Sequence, residues 1–173
     1  MSEPKTPSKT ASGDVAPAPS SSAEVDAFLS KVQSLQPASS GSGRLIFAMD
    51  ATASREPTWD RASEIQAAMF SETSALGGLS VQLCYYRGVR EFDASTWCDR
   101  ADALLRRITR VYCAAGLTQI GRVLEHALEE GAKERVNALV FVGDCVEEDP
   151  DRLADLAGRL GLMGVPAFVF QEG

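Results

Sequence analysis

Two short, unbroken apolar runs most restrict what this chain can fold into. Leu45 to Met49 and Ala138 to Val142 are wholly apolar, and an aspartate follows each run within two residues. A strand that is apolar on both faces must be covered on both faces, as the central strands of a parallel sheet are. Longer segments with helical apolar spacing lie between these runs. The chain is therefore predicted to be an α/β three-layer sandwich, with a mainly parallel sheet and helices on both faces.

Further strands and helices are predicted on the same grounds. Leu79 to Tyr86 reads as a strand, and the Arg87-Gly88 pair before Val89 to Phe92 predicts a hairpin with one antiparallel edge strand. Val165 to Phe170 is the last predicted strand. Apolar residues at helical spacing predict helices around residues 65–76, 104–111, 120–128 and 153–160.

The chain divides into four predicted regions. Residues 1–23 are rich in Ser, Pro, Ala and Thr, which predicts a disordered tail. Residues 24–36 carry an apolar stripe at helical spacing and are expected to form an amphipathic helix that docks on the domain. Residues 37–43 are a Pro, Ser and Gly linker, and residues 44–173 are the folded domain.

Charge and hydropathy exclude several classes of function. The net charge of −7 lacks the basic surface that a phosphate-backbone binder needs, so no nucleic-acid partner is expected. No apolar run approaches the roughly 20 residues that cross a bilayer, and the N-terminus has no apolar signal segment. We therefore expect no membrane association and a cytoplasmic location.

The four cysteines show no metal or redox motif. Cys84, Cys98, Cys113 and Cys145 form no C-x-x-C pair. They are predicted to be free, buried thiols, since a free cysteine behaves as a small hydrophobe.

Oxygen-bearing side chains gather where the predicted strands end. Asp50, Thr52 and Ser54 alternate directly after the first strand, and Asp144 follows the second apolar run. Thr118 lies in a glycine-bearing turn at the start of a predicted helix. The carboxyl ends of parallel strands form one edge, where ligands of open α/β sheets bind. These residues are expected to meet there and to bind Mg²⁺ or Mn²⁺, because the set is all oxygen.

The D-x-T-x-S segment with Thr118 and Asp144 resembles the metal-ion-dependent adhesion site (MIDAS) of von Willebrand factor A (VWA) domains. The resemblance spans about residues 44–173 and is that of an intracellular, bacterial-like member. It implies a Rossmann-like fold and a protein partner that supplies an Asp or Glu to the ion. It also implies direct ligation by Thr52 and Ser54, and ligation through water by Asp50 and Asp144. Thr118 would bind directly or through water.

The sequence departs from the family in two places. The first hydroxyl position is usually Ser, so the methyl group of Thr52 narrows the site. The family domain also usually continues with a helix, a sixth strand and a final helix, which makes this chain resemble a truncated member. Val165 to Phe170 is then expected to be an outer strand whose open edge favours self-association, unless residues 24–36 cover it.

Other interpretations remain open at this point. A hydrolytic enzyme of phosphatase or nucleotide type is one, although no second Asp stands at Thr52 and no phosphate-binding Lys follows Gly121. His126, the single histidine, has no evident catalytic partner and is expected to be partly packed. A VWA scaffold with a vestigial metal site is the third interpretation. The non-enzymatic, metal-dependent protein-interaction module is preferred.

Three further side-chain groups near the loops have two interpretations each. Glu147-Glu148-Asp149 either tunes the charge of the site or forms the acidic start of the next helix, which is the preferred interpretation. Arg55 and Trp59 follow the D-x-T-x-S loop and either contact a ligand or pack into the domain.

Overall fold

The computed structural model describes residues 43–59 and 79–172, in which five strands form one sheet with helices on both faces. The strands are β1 (Gly43–Asp50), β2 (Leu79–Arg87), β3 (Glu91–Ala94), β4 (Ala138–Gly143) and β5 (Ala167–Gln171). The helices are α1 (Ala101–Ile108), α2 (Ile120–Lys133) and α3 (Pro150–Leu162), and a 3-10 helix spans Ala53–Thr58.

The sheet has the strand order β3-β2-β1-β4-β5. The β1 strand lies at its centre and pairs in parallel with β2 and β4, while β5 pairs in parallel with β4. Only β3, at one edge, is antiparallel among these strands. The predicted fold class, a mainly parallel sheet with one antiparallel edge strand, is confirmed.

Alternate residues of β1 point into two separate cores. Leu45, Phe47 and Met49 pack with residues of α1, and Ile46 and Ala48 pack with residues of α2 and α3. Every one of these five side chains is buried, which is why the first run contains no polar residue. Two cores on opposite faces of one sheet make the domain a three-layer sandwich.

The hairpin forms, but its second strand begins later than predicted. The expected strand was Val89 to Phe92, whereas β3 begins at Glu91 and the turn occupies residues 88–90. Arg87 is the residue paired with Glu91, and their side chains form an ion pair at 2.6 Å. Gly88 has a φ of 59°, which glycine adopts without strain, so the chain reverses there. This places Val89 at the exposed tip of the turn.

Smaller differences concern element ends. The α1 helix ends at Ile108 rather than Val111, and β5 begins at Ala167 rather than Val165. Four predicted segments lie outside the described residues: the disordered tail (1–23), the docked helix (24–36), the linker at 37–42 and the helix at 65–76. They stay predictions. Gly43, the last residue of the predicted linker, begins β1.

The cysteines are free but not uniformly buried. Cys84 is buried, Cys98 and Cys113 are half-buried, and Cys145 is exposed. The prediction of buried thiols is therefore wrong for Cys145, which follows Asp144 in a surface loop. In the described ranges, no helix has the length and apolar character needed to cross a bilayer.

The β5 strand is an edge of the described sheet, as predicted. Pro166 C=O and Glu172 N–H bond to β4, so by alternation the backbone groups of Val169 point away from the sheet. Val169 is also 67% exposed.

We expect concentration-dependent self-association through this edge, measured by light scattering coupled to size exclusion. Val169→Pro should weaken it, since the substitution removes one outward N–H donor without removing a bond to β4. A monomer at every concentration would contradict this prediction.

Candidate metal centre

Asp50 is a fully buried polar group at the carboxyl edge of the sheet. It ends β1 and has no solvent exposure. Its Oδ1 accepts a hydrogen bond from Thr52 N–H at 2.8 Å, and its Oδ2 accepts one from Tyr86 O–H at 3.0 Å. Both carboxylate oxygens are thus held in one orientation, with further lone pairs available for a ligand.

The hydroxyls of the D-x-T-x-S loop lie side by side. Thr52 Oγ1 and Ser54 Oγ are 3.0 Å apart, and Thr52 is buried while Ser54 is exposed. The loop is fixed by its backbone, because Ala51 N–H donates to Tyr86 C=O and Ala51 C=O accepts from Ala114 N–H. Two oxygens that already face each other form a natural pair of neutral ligands.

Asp144 lies beyond the end of β4, the strand next to β1. Its Oδ1 is shielded from solvent and has no hydrogen-bond partner in residues 43–59 and 79–172. A Cβ placed on Gly143 would lie 3.5 Å from the Asp50 Cβ, so the ends of the two strands touch. A buried carboxylate oxygen without a donor is rare and requires an explanation.

The electrostatics of Asp50 favour a nearby positive charge. Burial raises the pKa of Asp50 above its ordinary value of 3.8, and the negative charge of Asp144 raises it further. Hydrogen bonds from Thr52 and Tyr86 lower that pKa and oppose the shift. The ionised form of Asp50 is therefore costly in this fold, and a cation bound nearby would reduce that cost.

Thr118 is joined to the Asp144 loop through Glu147. Thr118 N–H donates to Glu147 Oε2 at 3.0 Å, and Thr118 Oγ1 accepts from Glu147 N–H at 3.0 Å. This reciprocal pair holds a buried hydroxyl and leaves it one free lone pair. The contact between these loops was not expected from the sequence, because nothing in the spacing of residues 118 and 147 indicates it.

Glu148 also reaches across to the segment that contains Thr118. Its carboxylate accepts hydrogen bonds from Ile120 N–H and Gly121 N–H, the first turn of α2. The preferred interpretation, that Glu147 and Glu148 begin the next helix, is therefore wrong for these two residues. It is correct for Asp149, whose side chain accepts from Asp151 N–H at 3.0 Å and caps α3. The N-terminal dipole of α2 attracts Glu148 instead.

The other residues singled out in the sequence pack into the domain. Arg55 is fully buried and forms an ion pair with Glu172 at 2.7 Å, which connects the 3-10 helix to the segment after β5. Trp59 packs against the core. His126 is half-buried, and its Nε2 lies 2.9 Å from Gln82 Oε1. The packing interpretation holds for all three.

Two thiols lie close to the carboxylates. Burial raises the pKa of Cys113 to about 11, although Arg55 opposes the shift. Burial, followed by a hydrogen bond to the Asp144 carboxylate and the charges of Asp144 and Asp50, raises the pKa of Cys145 to about 11. A thiol must lose its proton to bind a metal. The described residues contain no cluster of three or more His, Cys, Asp or Glu that fits a metal. Ligation at this edge would depend on hydroxyls as well as carboxylates.

The residues present fit a hard dication. Asp144 Oδ1 is buried without a donor, and the donor set of carboxylates and hydroxyls is all oxygen. Such a set suits Mg²⁺ or Mn²⁺, which retain water and take few charged ligands. Thr52 contacts both Asp50 and Ser54, and Asp144 interacts electrostatically with Asp50. Thr118 is joined to the Asp144 loop through Glu147.

The fold has known counterparts among solved structures. The N-terminal domains of the type V pili tip protein Mfa5 from Porphyromonas gingivalis superpose with a TM-score of 0.51 and 15% identity, over 58% of this chain and 19% of that one. The chain therefore shares its α/β fold with part of that structure. An identity this low shows the fold alone. The matched region is about a fifth of the length of that solved chain.

Two more solved structures are similar at lower TM-scores, both under 0.5. The vWF domain of Mfa5 matches at 0.46, with 16% identity over 62% of this chain and 38% of that one. A D319A mutant of the PilB minor pilin from Streptococcus sanguinis matches at 0.48, with 13% identity over 62% of this chain and 30% of that one. No protein-family model and no curated protein sequence matches the chain significantly.

Tyr86 is the residue at this edge that the sequence did not reveal. It lies on β2 next to β1, is buried, and donates to Asp50 Oδ2. Burial and the charge of Asp50 raise its pKa, so the hydroxyl keeps its proton and remains a donor. A buried tyrosine needs a hydrogen-bond partner, but only the strand register shows that its partner is Asp50.

We expect Tyr86→Phe to weaken Mn²⁺ binding by about 10-fold to 100-fold, the usual effect of removing a group that orients a metal ligand. Isothermal titration with Mn²⁺ measures it. Tyr85→Phe is the matched control, because this neighbour is half-buried and packs against the opposite core. Equal affinity in both variants would show that Tyr86 does not orient Asp50.

Proposed function

We propose that the domain is a protein-interaction module that binds Mg²⁺ or Mn²⁺ and, through the ion, an acidic side chain of a partner. The buried, unpartnered Asp144 Oδ1 beside the buried Asp50 is the observation that carries this proposal. The ion would supply a positive centre with an open position for a carboxylate oxygen. Asp50, Thr52, Ser54, Thr118 and Asp144 are the residues that would hold it.

The character of the ligands supports an exchangeable partner. Hydroxyls are neutral, so the ion keeps its attraction for one more anionic oxygen. The VWA-like fold, shared with a protein described as a pili tip protein, supports an interaction role at this edge of the sheet. Without the ion, the charges of Asp50 and Asp144 would repel an acidic partner.

A pull-down with immobilised protein in Mg²⁺ and again in EDTA tests the proposal. Proteins retained in Mg²⁺ should be released by EDTA, and Thr118→Ala should retain them at least tenfold less. Thr96→Ala is the control, since Thr96 is exposed and bonds to Arg107 near the opposite end of the strands. Retention that EDTA and Thr118→Ala leave unchanged would contradict metal-dependent binding.

The non-enzymatic character is part of the same proposal. His126 is occupied with Gln82 and packs against Phe92, so it offers no general base to the metal edge. Hydrolysis of phosphoesters or nucleoside triphosphates in Mg²⁺ that Asp50→Asn abolishes would favour an enzyme. Absence of both metal binding and turnover would leave a scaffold with a vestigial site. The cytoplasmic location also stays a prediction.

A further inference from the structure

Exposed apolar side chains are concentrated at the metal edge. Among the described residues, seven large apolar side chains are exposed, and four of them lie on three loops at the carboxyl edge of the sheet: the turn after β2, the loop between α1 and α2, and the loop after β4. These four define the apolar rim: Val89, Tyr112, Leu117 and Val146. They are 54% to 70% exposed. Clustered exposed apolar groups mark interaction sites, whereas scattered single ones do not.

Backbone contacts and sequence position connect the rim residues to the candidate metal loops. Leu117 precedes Thr118, and its N–H donates to Gly88 C=O at 3.2 Å, which brings it beside the turn that carries Val89. Val146 stands between Asp144 and the Glu147 that holds Thr118. The rim residues therefore lie on loops that contact one another or carry candidate metal ligands.

Tyr112 is held in position even though it is exposed. The Arg87 guanidinium lies 3.9 Å from its ring centroid, and Arg87 Nη1 donates to Tyr112 C=O at 3.3 Å. Ala114, two residues further on, bonds to Ala51 of the D-x-T-x-S loop. A large side chain that is already fixed costs less entropy to bury against a partner.

Charge restricts what such a rim can bind. The protein has a net charge of −7, and Glu147 and Glu148 add acidic groups beside Asp144. This net charge would repel a strongly acidic partner at long range, and Arg87, the cation beside Tyr112, is already paired with Glu91. Affinity beyond that of one carboxylate at the ion must then come from short-range apolar contact.

We propose that the apolar rim docks a partner segment that has one carboxylate flanked by large apolar side chains and no further acidic residue. This inference rests on the proposed function, because the carboxylate is the group that would reach the ion. The apolar neighbours would pack on Leu117 and Val146, the rim residues adjacent in sequence to the metal loops.

A displayed library of short peptides with a fixed central Glu and randomised neighbours tests the inference. In Mg²⁺, selected peptides should be enriched in large apolar residues beside the Glu and depleted in Asp and Glu. Leu117→Ser and Val146→Ser should each weaken their binding roughly tenfold, the effect of exposing one such side chain again. Mn²⁺ affinity should not change in either variant.

Leu162→Ser is the matched control, because Leu162 is 91% exposed and ends α3, at the opposite edge from the metal loops. It should leave peptide binding unchanged. Two further selections, a library with a fixed central Gln and selection in EDTA, separate apolar contact with the rim from contact of a carboxylate with the ion.

Each outcome tests a different part of the proposal. Metal-dependent selection of Glu peptides without apolar neighbours would overturn the rim and support the proposed function. Apolar enrichment that persists with Gln and in EDTA would overturn the role of the carboxylate and the proposed function with it. If no library binds a protein that demonstrably holds Mn²⁺, the docking surface itself is wrong.

Discussion

Millimolar Mg²⁺ or Mn²⁺ should raise the melting temperature of the protein by roughly 5 to 10 °C. An ion that binds only the native state adds about 2.7 kcal/mol at a hundredfold excess over its Kd. For a chain of this size, each kcal/mol moves the melting temperature by about 2 to 4 °C. Differential scanning calorimetry with and without EDTA measures the shift. Asp50→Asn and Asp144→Asn should each abolish it, because each removes one of the two charges that balance the dication.

Asp50→Asn should have opposite effects on the stability of the metal-free and the metal-loaded protein. Burial and Asp144 raise the pKa of Asp50, so at neutral pH its ionised form destabilises the folded state relative to the unfolded state. Asp50→Asn removes that charge, and we expect it to raise the melting temperature measured in EDTA. Asp99→Asn is the control, because this exposed residue follows the Cys98 bridge to Val81 at the other end of the strands. A metal-induced shift that survives both Asn variants would eliminate the site.

Gly116→Ala should destabilise the domain by about 2 to 3 kcal/mol, with a correspondingly lower melting temperature. A Cβ at this position would lie 1.9 Å from Gly88 C=O and 2.2 Å from its carbon, which are backbone atoms that no rotamer change can move away. The loop must therefore shift, and Leu117 and Thr118 shift with it. We expect Mn²⁺ affinity, measured by titration, to fall together with stability.

Gly158→Ala is the matched control and should have the opposite sign. Gly158 lies inside α3, and a Cβ there meets nothing within 4 Å. Alanine in an exposed helix interior is more favourable than glycine by about 0.5 to 1 kcal/mol. If Gly116→Ala melts as the wild type does, the close approach of the 116 and 88 turns is not needed for the site.

The sequence determined the layers of the fold because a strand buried on both faces has no alternative to apolar residues. The run Leu45 to Met49 and the run Ala138 to Val142 became the adjacent strands β1 and β4, with both of their faces buried. The position of Val165 to Phe170 as the outer strand was also predicted, although that prediction came from the family strand order. The two apolar runs could be recognised because the pattern lies entirely in residues that are adjacent along the chain.

The sequence did not predict the register of the hairpin or the residues that the loops contact. The turn shifted β3 to Glu91, since the Arg87 and Glu91 pairing and the positive φ of Gly88 outweigh the apolar character of Val89. Glu147 and Glu148 read as the start of a helix by local propensity, yet their carboxylates bond to Thr118 and the start of α2. The positions of these carboxylates depend on backbone N–H donors that lie 27 to 29 residues away in sequence.

The residues of the candidate metal centre also differ in whether the sequence alone reveals them. Asp50, Thr52, Ser54 and Asp144 could be chosen as candidates because oxygen-bearing residues after strand ends are a local pattern, and Thr118 because it lies in a turn at a helix start. Metal binding by these residues stays a prediction. Tyr86 could not be chosen, since a tyrosine in an apolar strand looks like any core aromatic until the register of β1 and β2 brings its hydroxyl to Asp50. The apolar rim was equally hidden, because exposure depends on which loops meet. Sequence alone specified residue types and their order along each element, and tertiary contact decided which distant side chains face one another.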